Sequence, residues 1–254
     1  MNPDCIGVGE WIEHPVSNIE YREDGYTYPM TLTLIVLFSA LFVVTHLGMS
    51  QDPIRRGFVD KIGAWPFRAL YSLISFATLG PAAVMWWQHR HLGPVLWELP
   101  FWPERILAGV LILFGFFLLF QLLATPSPAS MMPAKIEARG VLRITRHPMN
   151  MGISLWALAH LLANGTFGDV AFFGSFLVVG VIGPYLQDAR LKRSKGEDFK
   201  AFCKQTSVMP FSAILGRRNR LVPDELSFPL AFISIVLFVI VTLFHGRFFG
   251  GELF

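Results

Sequence analysis

Apolar residues in this chain of 254 gather in long blocks rather than alternating with polar ones. A helix or strand half-exposed to water would bring polar residues back with a period near 3.6 or 2. Here six segments stay apolar on every side, covering 30–48, 63–87, 104–124, 149–164, 169–186 and 228–245. The first holds no Asp, Glu, Lys or Arg, and at about 1.5 Å per residue it is long enough to cross roughly 30 Å of hydrocarbon. The fourth is the shortest. The pattern predicts an all-α polytopic membrane protein, a bundle of about six transmembrane helices.

Charge orders those helices. The connections at 50–62, 125–148 and 187–227 carry three, four and nine Lys or Arg, whereas the tail, the other two connections and the C-terminus carry three between them. The positive-inside rule then places the basic connections in the cytoplasm and the N-terminus on the opposite, periplasmic side. Trp86, Trp87, Trp97 and Trp102 cluster around one outer connection, as an interfacial aromatic belt does. The 29-residue tail is polar and has no basic region followed by an apolar stretch, so it does not read as a cleavable signal. The basic balance is that of loops facing anionic lipid, and no nucleic-acid partner is expected. Cys5 and Cys203 fall on opposite sides of the predicted membrane, which excludes a disulfide between them.

Candidate chemistry collects on the basic side. In RGVLRITRHPMNMG (139–152), Pro148 suits the first turn of a helix and disfavours helical geometry at His147. His147 is therefore expected at the start of the fourth span, beside unpaired amides. Arg143 and Arg146 add guanidinium groups suited to a carboxylate or phosphate. This predicts an anion pocket containing an imidazole, with His147 and Arg146 as candidate catalytic residues; the plainer reading is a lipid-phosphate anchor. Asp188, Arg190 and the stretch around Glu197 form a second polar group that either folds under the pocket or lies on headgroups. His46, inside an apolar span, is a candidate metal ligand because ionisable groups at membrane depth are costly. His160, a further candidate cofactor ligand, lies 13 residues beyond His147, near the other surface if that segment is helical.

The run GVLRITRHPMNMGISLWALAHLLANG (140–165), the segment TSVMPFSAILGRR (206–218) and THLGMS (45–50) together resemble the NnrU family. These are bacterial inner-membrane proteins linked to denitrification, with a branch that isomerises carotenoid polyenes. The likeness spans about 30–218, leaving 1–29 as an outer tail and 219–254 as a linker with the sixth helix. It implies haem b as cofactor, with His46 as the first-span iron ligand and Tyr185 or His147 in the second axial position. The function it implies is redox-dependent cis–trans isomerisation of a hydrophobic polyene, or an accessory role in nitrogen-oxide metabolism. RHPxxxG also resembles membrane methyltransferases, which implies S-adenosylmethionine held by Arg146, His147 and Glu197, with a lipidic acceptor. A third reading is a non-catalytic subunit that docks a membrane partner through 1–29.

Overall fold

The computed structural model describes residues 27–130 and 134–249. The tail proposed for docking, with Cys5, lies outside them apart from its last three residues, which open the first helix. The helices are α1 (Thr27–Ser50), α2 (Asp52–Ile62), α3 (Ala64–Gln88), α4 (Phe101–Ala124), α5 (Pro148–Ala163), α6 (Phe167–Gln205), α7 (Ser212–Leu215) and α8 (Phe228–Phe249). Five of them, α1, α3, α4, α6 and α8, are long and apolar enough to cross a membrane. The chain is a membrane protein, and the all-α bundle of about six helices is what the fold presents. Each helix packs on the next in the order α3, α1, α6, α5, α4, α8.

The sixth segment, α5, has 16 residues and a length of about 24 Å, short of a full crossing. It does not need one, because it sits between α4 and α6. Small residues bring the three backbones together, as membrane helices require in the absence of a hydrophobic force between them. A Cβ on Gly152 would lie 3.0 Å from the carbonyl of Gly115 on α4, and one on Gly180 would lie 3.0 Å from the carbonyl of Asn150.

Two expected connections are helical. Residues 52–62 form α2, whose polar and apolar residues separate onto two faces, with Ile54, Phe58 and Ile62 exposed. The fifth span was expected to stop at 186, yet α6 runs on to Gln205, 39 residues in all. Its backbone breaks at Gly196 (φ 60°, ψ −137°), a conformation that a residue with a Cβ strongly resists. Beyond that break Phe199 and Phe202 turn inward and join Leu118, Val141, Leu142, Ile144, Met151, Leu191 and Val208 in a core at the basic end.

At the opposite end, the 89–100 connection is pinned to 165–168 by backbone bonds from Leu96, Phe167 and Gly168. Asp169, fully buried there, accepts bonds from Trp86 Nε1 (2.8 Å) and Thr166 (2.6 Å) and meets His91 Nδ1 at 2.9 Å. The end of α8 reaches the same level, where Phe249 packs edge-on against Trp87. At the basic end, Gln121 and Ser227 exchange two hydrogen bonds that tie α4 to the start of α8.

These contacts predict that Gly152→Val, which forces α4 and α5 apart, lowers stability by about 1–3 kcal/mol. Gly174→Ala, with open space at its Cβ, should leave the midpoint unchanged or raise it. Thermal unfolding in detergent reads both.

Candidate functional site

Pro148 takes the first helical position of α5 and His147 stands at its N-cap, as the sequence predicts. The anion that meets them belongs to the chain itself. Asp188, on the part of α6 past the apolar stretch, accepts from Arg146 Nε at 2.8 Å and Nη2 at 2.5 Å on one oxygen. Its other oxygen lies 2.8 Å from His147 Nε2. All three residues are buried. A buried charge of this kind is tolerable only when every lone pair and proton is matched, and here the matching extends outward. Arg146 Nη1 donates to the Thr206 carbonyl at 2.9 Å, the Arg146 amide donates to Ser207, and Ser127 donates to the Arg146 carbonyl at 2.7 Å. The Thr145 hydroxyl donates to Val208, and the amide of Phe211 donates to Ile144. The segments 140–152 and 206–218 are thus laced to each other.

A carboxylate can only accept, so Nε2 donates to Asp188. Nδ1 has no hydrogen-bond partner among the described residues. His147 lines a cavity of about 20 Å³ with Ser127, Pro148, Asn150 and Gln187, room for about one water molecule. Arg146 holds Asp188, Asp188 holds His147, and Nδ1 is left for a small polar group.

Arg143 is not part of this cluster. It makes a bidentate pair with Glu225 (2.6 and 2.8 Å) and a 2.8 Å bond to Asn219. That pair clamps the 140–143 turn onto the segment leading into α8, and the Gly140 amide adds a bond to the same carboxylate. Arg143 draws the Glu225 carboxyl down from its ordinary 4.5 to about 2. Glu197 is also elsewhere, 85% exposed and paired with Lys200, so Arg146 and Glu197 do not face one ligand. Tyr185 is on an exposed face of α6. His46 lies between α1 and α3, its Nδ1 3.1 Å from Ser75 Oγ and its ring against Phe42 and Tyr71. His160, near the far end of α5, bonds its Nδ1 to the Trp156 carbonyl and stacks on Phe173. Between it and His46 stand the rings of Phe42, Phe176 and Trp156. No group of three or more His, Cys, Asp or Glu able to hold a metal ion occurs among the described residues.

Residues 34–252 match the family described as NnrU protein. The chain belongs to the NnrU family. The match takes in α8, so the last helix, which the sequence reading left outside the likeness, is part of the NnrU unit. This NnrU protein is similar to the 15-cis-zeta-carotene isomerase of Arabidopsis thaliana, 30% identical over 98% of this chain and 66% of the relative. The corresponding protein of Zea mays is 29% identical over 80% and 57%. The chain therefore spans less than two thirds of the length of either isomerase. It is also similar to a methanethiol S-methyltransferase of Pseudomonas deceptionensis, 26% identical over 73% of this chain and 74% of the relative. No solved structure matches it.

Asp188 stood in the sequence next to the right features, as an acid just past an apolar run where a buried charge needs a partner. Glu225 carried no such mark, being 82 positions from Arg143 in a segment without periodicity.

Asp188→Asn leaves Arg146 and His147 without their anion and should cost about 3–5 kcal/mol of stability, read by thermal unfolding of the detergent-solubilised protein. The Glu225 pair has its own pH signature. A depressed carboxyl pKa stabilises the fold above its unfolded value, and that contribution disappears as pH falls from 4.5 through about 2. Glu225→Gln should therefore melt lower than wild type at neutral pH, lose less stability across that window, and approach wild type near pH 2 in thermal unfolding.

Proposed function

We propose that this NnrU protein is a membrane isomerase acting on an apolar polyene, with haem b bound through His46. Similarity to the Arabidopsis isomerase along 98% of the chain is the observation that carries the reading. The setting of His46 fits a residue that would hold the iron. With Nδ1 bonded to Ser75, Nε2 has no hydrogen-bond partner among the described residues, and an anchored imidazole of this kind presents its second nitrogen to a metal. Haem iron, when bound, supplies a redox-active electrophile beside a conjugated chain.

The protein's own residues do the rest. Phe42 and Tyr71 pack against His46 and Phe176 packs on Phe42, an aromatic setting suited to a substrate that partitions into lipid. Arg146 and Asp188 orient His147, so that Nδ1 can bind a water at the basic end. Charge asymmetry supports an orientation with that end in the cytoplasm of a bacterial inner membrane and the N-terminus periplasmic. An accessory role in nitrogen-oxide metabolism would use the same haem.

A second reading, methyl transfer from S-adenosylmethionine to a lipidic acceptor, draws on the similarity to the Pseudomonas enzyme. The internal pairing of Arg146 with Asp188 and the exposure of Glu197 leave it less support.

Protein purified in detergent from a haem-replete host should show a Soret band that shifts or vanishes in His46→Ala. Colourless wild-type protein would overturn the haem reading, and calorimetric heat on adding S-adenosylmethionine would favour the second.

A further inference from the structure

A separate charge cluster lies at the basic end between α2, α3 and α6. Arg193, one turn past the half-buried Arg190 of α6, bonds Asp52 of α2 at 2.9 Å. Arg55 of α2 rests over Phe67 of α3, next to Arg68, so the three helices bring Arg190, Arg55 and Arg68 into one electrostatic neighbourhood. Asp52 cannot neutralise the three, since it already pairs with Arg56 at 3.0 Å and Arg193 at 2.9 Å. Among the described residues, Arg55, Arg68 and Arg190 form no ion pair. Arg55 rests over the Phe67 ring and Arg68 over the Trp65 ring, 5.5 and 4.8 Å to the centroids. Both stems are thereby held in place instead of sweeping through solvent.

Three guanidinium groups gathered from three helices repel one another, and the repulsion grows as burial lowers the local dielectric. Such a gathering is stable when an anion completes it. Guanidinium forks match the tetrahedral oxygens of phosphate and can bind them two at a time. Depth points the same way. Ile54, Phe58, Ile62 and Trp65 leave apolar surface exposed around the cluster, as an amphipathic helix does at the level of lipid headgroups.

We propose that Arg55, Arg68 and Arg190 form a binding site for a phosphate group, separate from the Arg146–Asp188–His147 cluster. Its two natural sources are the headgroup of an anionic phospholipid and soluble phosphate.

The test uses the full chain in maltoside micelles, with three additions: phosphatidylglycerol, diacylglycerol as a phosphate-free control, and inorganic phosphate. Melting and native mass spectrometry read the binding. Phosphatidylglycerol should raise the midpoint and remain bound while diacylglycerol does neither. Arg190→Gln and, separately, Arg68→Gln should weaken binding by about tenfold or more, as expected for a lost charge-assisted bond; the remote Arg220→Gln should not. Arg190→Gln should also melt no lower than wild type without phosphate, because it relieves repulsion. If inorganic phosphate reproduces the shift, the site stands with a soluble ligand as its source. Binding that is equal in wild type, Arg190→Gln and Arg68→Gln, or reduced just as much by Arg220→Gln, overturns the site.

Discussion

Asp188 holds the basic end of this protein together. Its two oxygens are shared between Arg146 and His147, so one carboxylate joins the start of α5 to the middle of α6. An isolated carboxylate, guanidinium or imidazolium would each be costly at this depth. Together, with the Thr206 carbonyl closing the remaining Arg146 donor, they tolerate burial and fix how two helices meet. The orientation of His147, and with it the position of the unbonded Nδ1, follows from that pairing.

The same constraint explains why α5 is short and yet central. Its first turn is tied down by the charge cluster, and its body is squeezed between α4 and α6 through glycine contacts on both sides. A helix fixed at one end and packed on two faces has little freedom to tilt or slide. Phe199 and Phe202, past the break at Gly196, pack in one apolar core with Ile144, Met151 and Leu191, which lie close in sequence to Arg146, His147 and Asp188. Apolar packing at this end thus depends on polar groups that fix how the helices meet.

Two arginine-rich regions at one end of the bundle have opposite electrostatic characters. Around Arg146 and Arg143, each guanidinium meets an internal carboxylate, and the result is structural rigidity. Around Arg190 the guanidinium groups outnumber the single carboxylate of Asp52, which is already shared by two others. Counting Arg and Lys along the chain treats both regions alike. The difference lies only in which acidic side chains the fold delivers to each.

Sequence alone settled the membrane character, the number of apolar segments, the start of α5 at Pro148 and the family, because each depends on residues that are adjacent or at fixed spacing. It marked Arg146 and His147 as a pair and the 206–218 segment as related to them. The tertiary structure decided which charge each one meets. Arg143 and Arg146 are three residues apart and chemically equal, yet they part company for Glu225 and Asp188. Those partners lie 82 and 42 positions away, and nothing in local propensity or periodicity reports a contact over such a separation. Glu197 shows the converse: a carboxylate well placed along the chain stays in solvent, because the turn at Gly196 directs Phe199 and Phe202 inward and leaves the charges outside. Local rules select helices and their ends, whereas the matching of buried charges is a property of the packed bundle.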